Sequence, residues 1–181
     1  MKTLAELYLP AEQQIINRTF NRILDIIRQE KKVPFLHSDR NTDQAHLEYF
    51  IINETEISFR RRESTKKKDK VTVKELKDSI RYSLRTDEEL TRQAFSKKYG
   101  SALGNSLFSL VNPVNEEIIK YKIVGQELGH QSFGAGQISK IELQKEFVWF
   151  KYNDDQKMLS MEHFSLSAED EEKIKNLLSA E

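Results

Sequence analysis

The sequence contains no cysteine and little glycine or proline, and these absences exclude several classes of protein. Without cysteine, the 181-residue chain can form no disulfide, no catalytic thiolate and no cysteine-ligated zinc site. Six glycines and three prolines are too few for a linker or a fibrous chain, and 38% hydrophobic residues are too many for a disordered tail. We therefore expect one ordinary domain or two small ones.

Long apolar runs are also missing from the sequence. No stretch of about 18 apolar residues occurs, so we predict no membrane-spanning helix and no membrane partner. Near the N-terminus, Glu6, Pro10 and Glu12 interrupt any apolar run that would have the length of a signal peptide. Because disulfides are also absent, we expect a cytoplasmic protein.

The net charge is zero, but charges of opposite sign are separated along the chain. The 29 basic and 29 acidic residues cancel. Residues 60–85 hold eleven basic and four acidic side chains, a local net charge of +7. Residues 152–181 hold three lysines and eight acids, a net charge of −5. Since a local excess of one sign determines what a surface attracts, the two stretches predict different partners.

The first 113 residues show the apolar spacing of a mostly helical region. Ile15, Ile16, Thr19 or Phe20, Ile23, Ile26 and Ile27 recur at a spacing of three to four positions, which predicts one amphipathic helix over residues 11–31. Thr72 and Thr86 are each followed by glutamate three residues later, and this pattern predicts the starts of two further helices.

A β-hairpin is predicted between these helices. Residues 49–52 are a run of apolar side chains, and in residues 55–59 apolar and polar side chains alternate, with a two-residue turn between the two segments. The three arginines at 60–62 continue the second strand. The triple lysine then falls in a loop before the next helix. We predict that this basic surface contacts DNA or RNA phosphates, the alternative being a merely solvated charged surface. The predicted nucleic-acid-binding residues are Arg60, Arg61, Arg62, Lys66, Lys67, Lys68, Lys74 and Lys77.

After Pro113 the pattern changes to short strands with brief polar connections. Strands are predicted over residues 118–124, 136–143, 146–152 and 156–161, and Ser167 starts a terminal helix. Short strands at this spacing favour a small antiparallel barrel over a parallel sheet. We thus expect an α+β protein. Its predicted domains are a helical domain that carries the basic hairpin, residues 1–113, and a barrel with a terminal helix, residues 114–181.

One part of the C-terminal region resembles a known family. His130 is followed by Phe133-Gly134-Ala135-Gly136, then by two spaced isoleucines and by Val148-Trp149-Phe150. This pattern resembles the SH3-like or Tudor-like domains of UvrD/PcrA-type helicases and the CarD-type domains that bind RNA polymerase. The resemblance covers about residues 124–166. It implies an SH3-like barrel that docks a helicase, a polymerase or another protein.

Strand alternation divides residues 147–152 between two faces. Period two puts Val148 and Phe150 on one face, and the resemblance implies that this face points inward. The predicted protein-binding residues lie on the other face and are Phe147, Trp149 and Lys151. The alternative is that Trp149 packs beneath the amphipathic terminal helix.

Two sets of residues are candidates for a nuclease site. Arg40 and His46 have the spacing of HEPN ribonucleases, but His46 leads directly into a strand, whereas that family is helical. Asp69, Glu75 and Lys77 imitate the carboxylates and lysine of restriction-type nucleases, but Glu75 belongs to a helix cap.

The remaining candidates for chemistry are histidines. His130 and His163 could act as a general base and its partner, or as metal ligands. His130 fits the role of a structural hydrogen-bonding residue better. No phosphate-binding G-x-x-x-x-G-K-[ST] loop occurs, and we predict no cofactor and no metal.

These patterns favour a function in binding over a function in catalysis. The leading hypothesis is a non-enzymatic accessory or adaptor protein of nucleic-acid machinery, whose barrel docks a protein and whose hairpin contacts nucleic acid. The alternatives are a small nuclease of a defence or repair system and a purely protein-binding regulator.

Overall fold

The chain combines helices with antiparallel strands, which confirms the predicted α+β class. The computed structural model describes residues 1–30, 32–34, 46–51, 56–61, 68–111 and 120–179. The helices are α1 Leu4–Glu30, α2 Val73–Arg85, α3 Glu88–Tyr99, α4 Ser101–Val111, α5 Lys120–Ile123 and α6 Ala168–Ser179. The strands are β1 Lys32–Pro34, β2 His46–Ile51, β3 Glu56–Arg61, β4 Lys68–Thr72, β5 Glu127–His130, β6 Gly134–Glu142, β7 Phe147–Tyr152 and β8 Asp155–Ser160. Within these ranges, none of the helices combines the length and the apolar character needed to cross a membrane.

The chain divides into two compact units. The C-terminal unit comprises Met1–Ile15 together with Val114–Glu181, and the central unit comprises Ile16–Pro113. Backbone hydrogen bonds tie the two chain ends together within the C-terminal unit: the N–H of Leu4 donates to the carbonyl of Phe164 at 2.9 Å. The domains predicted from the sequence placed the first fifteen residues with the helical part, whereas these contacts place them with the C-terminal strands.

Helix α1 begins at Leu4 and not at residue 11, so the predicted start is wrong. Thr3 and Glu6 form a reciprocal capping box, in which the N–H of Thr3 donates to Glu6 Oε2 at 2.7 Å and the N–H of Glu6 donates to Thr3 Oγ1 at 3.3 Å. Pro10 therefore lies inside the helix and not in its first turn. The helix tolerates this proline although the ring removes one backbone donor.

The central unit contains a four-stranded antiparallel sheet in the order β1-β2-β3-β4. The predicted hairpin is confirmed as its middle pair, with Ile51 opposite Ile57. The two outer strands were not predicted, and Lys68, expected in a loop, begins β4. A run of lysines has low strand propensity, so the pairing with β3 is decided by the tertiary fold.

The helix starts of the central unit are set by two capping residues. Thr72 caps α2 as predicted, because its Oγ1 accepts the N–H of Glu75 at 3.0 Å. The predicted cap of α3 is wrong by one residue: Asp87 accepts the N–H of Leu90 at 2.8 Å. Thr86 instead ends α2. Aspartate is at least as good a cap as threonine, which explains the shift.

The C-terminal unit contains a second antiparallel sheet in the order β5-β6-β7-β8. Among the described residues, the two edge strands β5 and β8 do not pair with each other. The sheet is therefore open, and it does not form the closed barrel that was predicted. The strand predicted over residues 118–124 is also wrong where it is described, because Lys120–Ile123 is helical. Short apolar runs do not distinguish a strand from a helix by periodicity.

The inner face of this sheet confirms the predicted alternation. Val148 and Phe150 are fully buried. A Cβ atom at Gly136 would lie 2.6 Å from the carbonyl oxygen of Lys151 and would enter the Phe150 ring, so only glycine fits there. Gly134 has a φ of +75°, which starts β6 from a tight turn. The glycine motif therefore shapes a turn and a close approach.

Candidate functional site

Five of the predicted nucleic-acid-binding residues lie on neighbouring elements of the central unit. Arg60 and Arg61 end β3 and Lys68 begins the adjacent β4. Lys74 and Lys77 lie in α2, which follows β4 directly. The remaining three predicted residues, Arg62, Lys66 and Lys67, lie outside the described residues.

A row of charged positions crosses all four strands of this sheet. Lys32 lies opposite Glu48, Glu48 lies opposite Arg60, and Arg60 lies opposite Lys68. Directly opposite positions of an antiparallel sheet share one face, so three basic residues and one acidic residue stand in line on the same face. We call these four residues the charged row. Sequence reasoning missed Lys32 and Glu48, since only the strand register brings them to Arg60.

The charged row lies on the face of the sheet that is opposite to a buried position of β4. Val71 in that strand is fully buried. Because successive residues of a strand alternate between faces, Lys68 and Lys70 occupy the face opposite to Val71. Lys70 thus adds a further basic position beside the charged row.

The two lysines of α2 differ in what surrounds them. Lys74 is exposed in the first turn of the helix. Lys77 is half-buried, and its Nζ lies 4.8 Å from the centroid of the Phe20 ring, within the range of a cation–π interaction. Lys77 therefore contributes to packing within the central unit, a role that its place in a charge run did not predict.

The predicted protein-binding residues lie together on the outer side of β7. Phe147 and Trp149 are half-buried and Lys151 is exposed. Trp149 lies between Lys140 on β6 and Met158 on β8, and Met158 is 46% exposed. We call these five residues the Trp149 face. Met158 was not predicted, although period-two alternation along β8 could have placed it beside Trp149.

A carboxylate holds the Trp149 indole in place. The Nε1–H of Trp149 donates to Glu142 Oε1 at 3.3 Å, and the Nζ of Lys140 lies 3.4 Å from the same oxygen. The hydrogen bond from Trp149, together with the nearby ammonium group of Lys140, lowers the pKa of Glu142 below its ordinary value. The indole is therefore oriented by a charged acceptor and keeps part of its ring surface accessible.

His130 has a structural role in the C-terminal unit, where it makes a backbone hydrogen bond and packs against aromatic rings. Its Nδ1 accepts the backbone N–H of Ser132 at 3.0 Å. Its ring stacks on Phe133, with centroids 4.7 Å apart, and Phe133 stacks in turn on Tyr152 at 4.6 Å. The edge of the imidazole also meets Phe164. These contacts support the structural role predicted for His130.

The candidate nuclease residues are spread over several elements. His46 begins β2, Asp69 lies in β4, and Glu75 and Lys77 lie in α2, while Arg40 lies outside the described residues. The N–H of Glu75 is bonded to the helix cap, as a capping box requires. Among the described residues, no group of three or more histidine, aspartate or glutamate side chains is arranged to hold a metal ion.

Comparison with protein-family models, with curated proteins and with solved structures yields no match to this chain. A functional assignment therefore depends on the two surfaces of the molecule itself, the charged row and the Trp149 face.

Proposed function

We propose that this protein is a non-enzymatic accessory or adaptor protein of nucleic-acid machinery. The central unit contacts DNA or RNA phosphates through its basic sheet. The C-terminal unit docks a protein partner through the Trp149 face. The protein thus brings a nucleic acid and a partner protein together without acting chemically on either.

The observation that carries this proposal is the pairing of Arg60 with Lys68 in the charged row. Like charges that lie directly opposite each other in a sheet destabilise the fold. Lys32 stands at the other end of the row, and Lys70 lies on the same face. Glu48 separates Lys32 from Arg60, so the positions of like charge that lie together are Arg60, Lys68 and Lys70. These basic positions match the negative charge repeated along a phosphate backbone.

The docking part of the proposal is supported by the Trp149 face. An oriented, half-buried tryptophan beside an exposed methionine is typical of a binding hot spot. We also propose that residues 124–166 are related to the SH3-like and Tudor-like domains of helicases, with an open sheet in this chain. The tight turn at Gly134 and the contact of Gly136 with Phe150 support that relationship.

The phosphate-binding part is tested with labelled duplex DNA and single-stranded RNA over a range of salt concentrations. Each phosphate contact contributes about −0.9 to the slope of log affinity against log salt on duplex DNA. We expect Lys68→Glu to weaken binding and to reduce the slope by about 1 or more. The matched control is Lys97→Glu, which makes the same charge change at an exposed lysine of α3 and should leave the slope unchanged.

A pull-down from native lysate, with and without nuclease treatment, tests the docking part. A partner that is retained after nuclease treatment supports docking through protein contacts. If no nucleic acid binds and the partner is still retained, the protein is instead a purely protein-binding regulator. Metal-dependent cleavage of nucleic acid that Glu75→Gln abolishes would instead identify a nuclease.

A further inference from the structure

The Trp149 face presents an aromatic ring and a flexible apolar side chain next to each other. Trp149 and Met158 are directly opposite on β7 and β8, and both keep part of their surface exposed. Met158, with three rotatable bonds and a polarizable sulfur, adapts to the shape of an incoming group. The Nε1 hydrogen bond to Glu142 fixes the indole, so little conformational freedom is lost there on binding. The pair therefore suits an apolar anchor from a partner.

An unpaired cation stands next to this apolar pair. Lys151 lies two residues after Trp149 on the same face of β7 and is exposed. Its cross-strand neighbours are Gln137 and Gln156, and among the described residues no acidic side chain forms an ion pair with it. Glu127, the acid in line with Lys151 across the sheet, lies two strands away, roughly 10 Å at the usual strand spacing, and lines the same pocket as Lys151 without an ion pair between them.

The charges around Trp149 favour an acidic group over a basic one. Lys140 and Lys151 are the cations nearest to the indole along the sheet. The carboxylate of Glu142, opposite Phe147 on β6, contacts both the indole N–H of Trp149 and the ammonium of Lys140 through the same oxygen. A partner carboxylate would therefore meet Lys151, which forms no ion pair among the described residues, whereas a partner ammonium would meet two like charges.

The small size of the surface favours a short segment over a folded domain. Its apolar part consists of the exposed portions of Phe147, Trp149 and Met158. A stable interface between two folded proteins buries about 800 Å² on each partner, far more than three partly exposed side chains supply.

We propose that the Trp149 face docks a short segment of a partner protein in which an apolar side chain stands next to a carboxylate. The apolar side chain packs between Trp149 and Met158, and the carboxylate pairs with Lys151. This inference rests on the docking part of the proposed function and specifies the chemistry of the docked segment.

The test is a selection of random peptides displayed on phage against the intact protein. We expect the retained peptides to be enriched in aspartate or glutamate next to leucine, phenylalanine or tryptophan. Enrichment of basic peptides, or no enrichment at all, would overturn the proposal. One retained peptide is then synthesised with a fluorescent label and titrated by anisotropy.

Three variants then locate the binding surface. Trp149→Ala should weaken the peptide by at least about 30-fold, which corresponds to about 2 kcal/mol for a hot-spot tryptophan. Met158→Glu, at a position that is 46% exposed, should also abolish most of the binding. Lys151→Glu should weaken binding by roughly 3- to 10-fold, and more strongly at low salt. Lys97→Glu is the control, and equal loss in that variant would contradict the assignment.

The chain offers an internal probe because Trp149 is its only tryptophan. Peptide binding at this face should change the wavelength or intensity of the indole emission. Labelled DNA bound at the charged row of the central unit provides the complementary measurement. If peptide binding fails while DNA still binds, only the docking chemistry is wrong. If DNA binding fails while the peptide binds, the phosphate-binding part of the proposed function is wrong.

Discussion

The two sheets of this protein have the same topology and use their side chains differently. Each has four antiparallel strands in which every strand pairs with its neighbour in sequence. In the C-terminal unit, the inner positions Val148 and Phe150 are fully buried and Gly136 makes room for the Phe150 ring. In the central unit, the register instead places Arg60 opposite Lys68. One sheet thus fills a tightly packed core, while the other places two basic residues at directly opposite positions.

The largest expected effect concerns the close packing of the C-terminal sheet. Gly136→Ala should destabilise the protein by about 1 to 3 kcal/mol, because the added methyl group overlaps Phe150 and the Lys151 carbonyl. Chemical denaturation measures the change. The matched control is Gly129→Ala on the neighbouring strand, where the new Cβ would sit 3.6 Å from Asp170 Oδ2, an ordinary contact. Equal losses in the two variants would show that tight packing at Gly136 is not the cause.

The helix caps allow a comparison of the two units at matched residues. Thr72→Ala removes the cap of α2 in the central unit, and Thr3→Ala removes half of the capping box of α1 in the C-terminal unit. Each should cost about 1 kcal/mol, and serine at either position should restore most of it. Hydrogen exchange of the backbone amides shows which unit each variant loosens. If each variant speeds amide exchange equally in both units, the two units unfold together. The difference between the two sheets would then have no counterpart in the stability of the units.

A smaller effect of opposite sign is expected in the charged row. Lys68→Glu places a carboxylate opposite Arg60 and should stabilise the protein by roughly 0.2 to 1 kcal/mol while it weakens nucleic-acid binding. Added salt should stabilise the wild type slightly by screening the like charges, and this benefit should be lost in the variant. Thermal unfolding at low and high salt measures both changes. A destabilised Lys68→Glu protein would contradict the contrast drawn between the two sheets.

The smallest effect concerns acid sensitivity at the Trp149 face. Since the bond from Trp149 and the ammonium of Lys140 lower the pKa of Glu142 below 4.5, the ionised carboxylate stabilises the fold above that pH. The contribution is lost as the pH falls through the lowered pKa and Glu142 takes up a proton. The melting temperature of Glu142→Gln should thus lie below that of the wild type near neutral pH and approach it in acid. The exposed Glu162, changed to glutamine, is the control for the loss of one surface carboxylate.

Local patterns predicted those parts of the fold that depend on neighbouring residues. The Thr72 cap and the hairpin with Ile51 opposite Ile57 are confirmed, and both depend on contacts within a few residues. Strand alternation put Val148 and Phe150 on one face, the resemblance implied that this face points inward, and both residues are buried. The start of α1 was also predictable, since Thr3 and Glu6 have capping-box spacing that sequence reasoning passed over in favour of Pro10.

Long-range pairing could not be predicted from local patterns. The charged row requires the register of β1 with β2 and of β3 with β4, which no local propensity determines. For the Trp149 face, alternation predicted the three residues of β7. The bond to Glu142 and the neighbour Met158 depend on which strands flank β7 and in which register. Both candidate surfaces are therefore products of strand pairing.

The division of the C-terminal unit between the two ends of the chain sets the order in which the protein can be completed during its synthesis. The backbones of Leu4 and Phe164 bond directly although 160 positions separate them in sequence. At about 5 to 20 residues per second, a ribosome takes roughly 8 to 30 s to synthesise that interval. The apolar side chains of Leu4 and Tyr8, fully buried in the finished protein, must wait that long for Phe164 and Leu166 to appear. The central unit is synthesised in the meantime, so a chaperone has that interval in which to act on the segment around Leu4 and Tyr8.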